Sequence, residues 1–257
     1  MQKILKIAGL QTDLAWHDPK KNTDHFDAII ARLDSDLDLI VLPEMFATGF
    51  SMKPENMADK GASLEWMKKQ AQQTGAAIAG SLMVEEDKRY YNRFYFVTPD
   101  GTAEYYDKRH RFTLAGEHEV YERGNTLKIV EYKNWKIALQ VCYDLRFPVF
   151  SRNTQEYDVL LYVANWPKTR VFAWDTLLKA RAIENMSYCM GVNRVGSDDN
   201  GHDYDGHSGI YDCLGATLAF AEKKEAILTA SLTKNHLQET RQKLNFLADR
   251  DQFDLQD

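Results

Sequence analysis

The chain has 257 residues, 44% of them apolar and 27% charged, with a net charge of −6. That is enough for one large globular core, and the acidic balance speaks against nucleic acid as a partner. The apolar runs are far too short to cross a bilayer. Three widely spaced cysteines, Cys142, Cys189 and Cys213, fit free thiols in a reducing compartment, the cytoplasm, better than a disulfide frame.

Strand-like and helix-like patterns alternate along the chain. The opening residues 1–7 have Lys among apolar positions and no small-residue cleavage site, so they read as part of a first strand (Ile4–Gln11) and not as a signal peptide. Phe26, Ile29, Ile30 and Leu33 fall at i, i+3, i+4, i+7 and predict a helix, with Asn22 as its N-cap. Residues 37–42 predict a strand that ends in Glu44. Ser63 then caps a second helix with Leu64, Met67 and Ala71 on one face and Gly75 as its stop. Residues 76–84 read as a buried strand, and residues 90–106 hold a hairpin around Asp100-Gly101.

The second half repeats the rhythm. Strands are expected over 136–141 and 158–163, a helix over Val171–Asn185 and a strand over 188–192. The 158–163 run is nearly all apolar, as for a strand covered on both faces. A polar loop over 196–206 leads into a last hairpin, a helix carrying Leu237, Leu244 and Leu247, and an acidic tail. Nothing rich in Pro, Gly or Ser divides the chain, so residues 1–257 read as one domain. Alternation argues for the α/β class. The surplus of hairpins favours a sandwich of two mixed sheets with helices outside.

Three of these strands end in chemistry. Cys142 closes an apolar run and is followed at once by polar residues. Glu44 closes another, and Lys108 follows the hairpin. Ligand sites in open α/β sheets lie beyond the carboxyl ends of strands. A thiol that attacks an amide or nitrile carbon, a carboxylate that takes its proton, and an ammonium beside the developing oxyanion make a covalent-catalysis set. The Tyr143 backbone N–H is a second oxyanion donor. No phosphate-binding glycine motif and no CxxC pair occurs, so no cofactor and no metal is expected. His202, Asp203, Asp205 and His207 sit on a glycine-flanked loop that reads as a solvated turn. Cys189 and Cys213 read as packing residues.

The words around these residues sharpen the reading. Leu42-Pro-Glu-Met45, Tyr106-Asp-Lys-Arg-His110 and Val141-Cys-Tyr-Asp-Leu-Arg-Phe147 resemble, in order, the three signature segments of the nitrilase superfamily of carbon-nitrogen hydrolases. Asn165-Trp-Pro167, Arg181 to Asn185 and Asn193 to Gly196 extend the resemblance over nearly the whole chain. It implies a four-layer α-β-β-α sandwich, at least a dimer, and Glu44 as base, Lys108 as oxyanion group and Cys142 as nucleophile. It also implies a second glutamate seven residues before a glycine. Gly124 points to Glu117, with Glu119 as the competing choice.

Met45-Phe46, Gly116 to Glu119 and Cys142 to Arg146 look most like bacterial ω-amidases, which hydrolyse the terminal amide of 2-oxoglutaramate and 2-oxosuccinamate. An N-carbamoyl amino-acid amidase, another aliphatic amidase and a nitrilase share the same machinery. A substrate carboxylate needs a cation, for which Arg146, Lys168 and Arg170 are candidates. Arg146 is equally placed to pair with Asp144 or Glu184 for structure. Phe46 and Trp166 are candidate pocket walls. The expected partner is thus a small amide, with no nucleic acid and no membrane.

Overall fold

The computed structural model describes residues 3–255; Met1, Gln2 and the last two residues of the acidic tail lie outside the described residues. In chain order the first half forms β1 (Ile4–Gln11), α1 (Pro19–Ile30), β2 (Leu39–Val41), α2 (Ala62–Thr74), β3 (Ala77–Glu86), β4 (Arg89–Val97) and β5 (Ala103–Asp107). There follow α3 (Glu117–Val120), β6 (Lys128–Tyr132), β7 (Trp135–Val141), α4 (Pro148–Ser151), β8 (Val159–Ala164), α5 (Val171–Asn185) and β9 (Tyr188–Asn193). The last are β10 (Val195–Ser197), β11 (Asp203–Tyr211), β12 (Thr217–Glu222), β13 (Ala226–Thr233) and α6 (Lys234–Leu244).

The strands make two mixed sheets. In the first, β1, β2 and β3 run parallel, with antiparallel β13 on one side and the β4–β5 hairpin on the other. In the second, β7, β8 and β9 run parallel between antiparallel β6 and β11, and β11 also pairs β10 and β12.

Side-chain alternation explains why four layers form. In β1, Leu5 and Ile7 face the second sheet, while Ala8 and Leu10 face Phe26, Ile29 and Ile30 of α1. In β8, Val159, Leu161 and Val163 enter the same inter-sheet core, and Leu160, Tyr162 and Ala164 pack on Trp174, Leu178 and Ala182 of α5. A strand covered on both faces has no polar face to show, which is why β8 reads as one apolar run. Each fully buried Leu or Ile contributes about 1.5–3 kcal/mol. The expected α-β-β-α order of layers is therefore present.

Local details differ from expectation. Asp18, not Asn22, caps α1: its carboxylate accepts from the Lys21 N–H. Asn22 is buried one turn in, where its amide bonds Ala15 and Ala47 and joins two loops. Gly61 occupies the N-cap of α2, and the Asp59 carboxylate accepts from the Gly61, Ser63 and Leu64 N–H groups, so Ser63 lies inside the helix. Gly75 does end it, with φ +69°. The polar loop 196–206 is largely the β10–β11 hairpin. Leu247 lies beyond α6, which stops at Asn245 with φ +51°. Two tight connections, Asp87-Lys88 and Lys133-Asn134, hold all four residues at positive φ without a glycine, the geometry of a type I′ turn.

Candidate active site

β2, β3 and β5 share a direction, so Glu44, three residues past β2, and Lys108, directly past β5, emerge at one rim of the first sheet. Cys142 follows β7 of the second sheet and opens a 3₁₀ turn, Cys142–Arg146. The inter-sheet core ends at this rim, where Cys142 packs partly against it. Two sharp reversals aim the side chains. Met45, next to Glu44, has φ +45° and Cys142 itself has φ +46°. A left-handed backbone at a residue with a Cβ costs roughly 1–2 kcal/mol and persists where the surrounding structure enforces it. Here the Ser81 hydroxyl accepts from the Met45 N–H at 2.9 Å, and the Ser81 carbonyl accepts from the Phe46 N–H.

Lys108 lies between two carboxylates, and all three side chains are buried. Its Nζ donates to Glu44 Oε1 at 3.0 Å and to both oxygens of Glu117 at 2.9 Å. Asn92 Nδ2 donates to Glu44 Oε1 at 2.8 Å and reaches Glu117 Oε1 at 3.4 Å. The Asn165 N–H donates to Glu44 Oε2 at 2.8 Å, and the Asn165 side-chain amide holds the Glu44 carbonyl. Phe112 N–H completes the shell of Glu117. Glu44 is thus fixed from three sides, with its carboxylate also within reach of the Cys142 thiol.

Electrostatics follow from this packing. Burial lowers the affinity of Lys108 for its proton, but Glu117 and Glu44 outweigh it, so the ammonium is held above its ordinary range. Burial raises Glu117, and the Glu44 charge adds to that. Burial also pushes the Cys142 thiol well above its usual value, with Glu44 next and Lys108 opposing. At neutral pH the resting thiol is therefore neutral, with a carboxylate beside it that can accept its proton.

A close approach fixes the Lys108 end of this network. The Gly124 N–H donates to the Lys108 carbonyl at 3.0 Å. A Cβ at Gly124 would stand 1.9 Å from the Asp107 carbonyl oxygen, so only glycine fits against that strand.

Cys142 opens on a cavity of about 460 Å³ whose lining includes Phe50, Phe112, Tyr143, Arg146, Trp166 and Arg170. The Arg146 guanidinium lies 4.9 Å over the Trp166 ring. Asp144 and Glu184, its expected structural partners, are engaged by Tyr106, His110 and Arg181 instead. Arg170 lies over Phe112 at 5.1 Å. Lys168 is turned to Asp205, 3.4 Å away. Phe46 is a correction. It is fully buried between Phe26 and Trp66 under α1 and α2, and Phe50 is the phenylalanine in the cavity wall. Glu117 enters the cluster, while the Glu119 side chain is 76% exposed beside His118.

Asn92 and Ser81 were not singled out by sequence reasoning. Both are interior strand positions whose polar side chains gave no periodic signal. Asn165 was visible only as part of a motif. The histidine-rich loop disperses: His207 pairs with Asp175 at 2.9 Å, Asp203 accepts from Ser197, and His202 lines the cavity. Cys189 and Cys213 are buried in the packing cores. Among the described residues no helix is long and apolar enough to cross a membrane.

Two stacked mixed sheets with a thiol, an ammonium and two carboxylates at their common rim define a carbon-nitrogen bond hydrolase, and the chain belongs to the carbon-nitrogen hydrolase family, whose model matches residues 6–242. It is 48% identical to the omega-amidase YafV of Yersinia enterocolitica, over 97% of this chain and 98% of that protein. It is 33% identical to the 2-oxoglutaramate amidase of Bacillus subtilis, over 93% and 94% of the two chains. Among solved structures, XC1258 of Xanthomonas campestris, a CN-hydrolase superfamily protein with an arsenic adduct in its active site, superposes with a TM-score of 0.97. That pair is 40% identical, and the match covers 99% of this chain and 100% of the other.

Proposed function

We propose that this enzyme is an ω-amidase, hydrolysing the terminal amide of 2-oxoglutaramate and 2-oxosuccinamate to the 2-oxo dicarboxylate and ammonia. The observation that carries the reading is the buried Lys108 ammonium shared by Glu44 and Glu117 beside a thiol that opens on a cavity with a guanidinium in its wall. Relatives that cover nearly the whole chain bear the names omega-amidase and 2-oxoglutaramate amidase.

Cys142 Sγ attacks the amide carbon while its proton passes to Glu44. The Lys108 ammonium and the Tyr143 N–H hold the oxyanion. Loss of one such donor typically costs on the order of 10²–10³ in rate. Collapse breaks the C–N bond, and Glu44 returns its proton to the departing ammonia, leaving an acyl-thioester. Water, deprotonated by Glu44, attacks that thioester, and the thiol is re-formed as the carboxylate product leaves. Glu117 holds Lys108 in place. Arg146 takes the 2-oxo acid end of the substrate, because its head lies in the cavity wall over the Trp166 ring, whereas Lys168 is engaged by Asp205. Arg170 lines the same cavity as the second cation. No cofactor takes part in this scheme.

Ammonia release from 2-oxoglutaramate and 2-oxosuccinamate tests the substrate, with 2-oxo acid formation measured in parallel at a ratio of one to one. Turnover of an N-carbamoyl amino acid, with carbon dioxide released beside ammonia, and none of the oxo-amides would overturn it.

We further propose that the whole chain acts as one domain and works as a cytoplasmic homodimer. Three free cysteines support the compartment. Phe172 and Ile183 on α5 are exposed large apolar residues on the outer helical layer, a surface that a second copy would cover. Light scattering should read about twice the 29.6 kDa chain mass; a monomer at micromolar concentration excludes the dimer.

A further inference from the structure

We propose that Asp144 is a positioning residue that sets the distance between the Cys142 thiol and the Lys108 ammonium by tying the turn of one to the loop of the other. The inference rests on the amidase reading above, in which those two groups act on one carbonyl.

The two groups belong to different sheets: Lys108 follows β5 and Cys142 follows β7. No backbone ladder joins those strands, so something else must hold their ends in register. Asp144 is fully buried, and its carboxylate accepts four hydrogen bonds. Oδ2 takes the Val141 N–H at 2.9 Å, from the residue just before the nucleophile. The same oxygen takes the Tyr106 hydroxyl at 2.8 Å, and that hydroxyl in turn accepts from the Arg109 N–H at 3.0 Å. Oδ1 takes the His110 N–H at 2.9 Å and lies 2.7 Å from His110 Nδ1. One carboxylate therefore grips the residue before Cys142 and, directly or through Tyr106, the two residues after Lys108. His110 also stacks on Phe147, at the end of the Cys142 turn, with ring centroids 3.7 Å apart.

Asp144, Tyr106 and His110 do not line the cavity, so none is placed to touch substrate. What they control is geometry. A displacement of about 1 Å at a reacting centre can cost on the order of 100-fold in rate. The left-handed Cys142 backbone makes its turn dependent on such outside bonds. An asparagine at position 144 would turn an N–H₂ toward one of the two donor pairs, because each oxygen now accepts two.

The experiment compares wild type, Asp144→Asn and Tyr106→Phe in full-length enzyme on 2-oxoglutaramate, with kcat expressed per folded molecule from near-UV circular dichroism. Asp144→Asn is expected to lower kcat about 100-fold and Tyr106→Phe about 10-fold, each with KM within about twofold of wild type. The double variant should be no slower than Asp144→Asn, because both act through one bridge. A folded variant with wild-type kcat, or a loss that resides wholly in KM, overturns the proposal. Where Asp144→Asn does not fold, Tyr106→Phe decides by the same split. A wild type inert toward 2-oxoglutaramate but active on another amide overturns the substrate reading alone, and the split is then measured on that amide.

Discussion

Cys142→Ala is expected to abolish ammonia release, by on the order of 10⁴-fold or more, while the protein still folds. In the proposed mechanism the sulfur forms the bond that replaces the C–N bond, a role that leaves no substitute for it. Cys189 and Cys213 are buried in the cores, away from the cavity. The raised thiol strengthens the expectation: in the proposed mechanism a neutral resting thiol needs Glu44 to take its proton, so the pair should behave as one unit. Glu44→Gln should then be nearly as inactive, and the double variant Glu44→Gln/Cys142→Ala no worse than Cys142→Ala alone, since a unit is broken once. Folding is a separate matter. Cys142 is only partly buried, and alanine keeps the Cβ that already tolerates φ +46°. The melting temperature of Cys142→Ala should therefore stay within a few degrees of wild type, as for a change of under about 1 kcal/mol. Ammonia assays beside thermal melts check both parts. More than one per cent residual activity in the alanine variant, on the order of a 100-fold loss only, would remove the thioester route.

Much of this was legible in the sequence because strand ends carry their own signal. An apolar run that stops at Glu44 or Cys142 announces both the strand and the side chain it delivers. A helix over roughly Val171–Asn185 was readable, and Met186 in the left-handed region stops it there. What failed were features set by non-local packing. Phe46 and Phe50 lie in one short loop with left-handed residues at Met45 and Gly49, and the first enters the helix-facing core while the second lines the cavity. Asp59 caps α2 from outside the helix, three residues before it begins, where a pattern that looks for the cap beside the helix does not find it. Asn92 is an interior position on β4, and its value lies in reaching Glu44, 48 residues away in sequence. Burial also separated Glu117 from Glu119. Two residues apart in the chain, one is sealed against Lys108 and the other faces solvent, a difference that the four-residue α3 creates by turning them to opposite sides.

Lys108→Met should remove activity and also make stability depend on pH in a direction the wild type shows far less. The methionine keeps the volume and stem of lysine but leaves Glu44 and Glu117 buried, adjacent and without their cation. Breaking a buried pair by removing one partner typically costs about 3–5 kcal/mol. Glu117 is already raised by burial, and then by Glu44, with Lys108 present to oppose it. Without that opposition Glu117 holds its proton in the folded state at pH values where the unfolded chain, at about 4.3 for glutamate, has released it. The folded state then binds more protons than the unfolded one, so stability is greatest below the unfolded value and falls as pH rises toward the folded one. The slope is about 1.4 kcal/mol per pH unit for each proton retained. In the wild type the Lys108 contribution has the same sign but lies in a far more alkaline range. Its proton is held more tightly folded than unfolded, so that contribution is complete at neutral pH and is lost only as pH climbs through its raised value. Urea unfolding at about pH 5 and about pH 7.5 separates the cases. Lys108→Met should approach wild-type stability at the lower pH and fall well below it at the higher one. Equal destabilisation at both would mean that Glu44 and Glu117 do not share a buried charge, and that Lys108 contributes by packing alone.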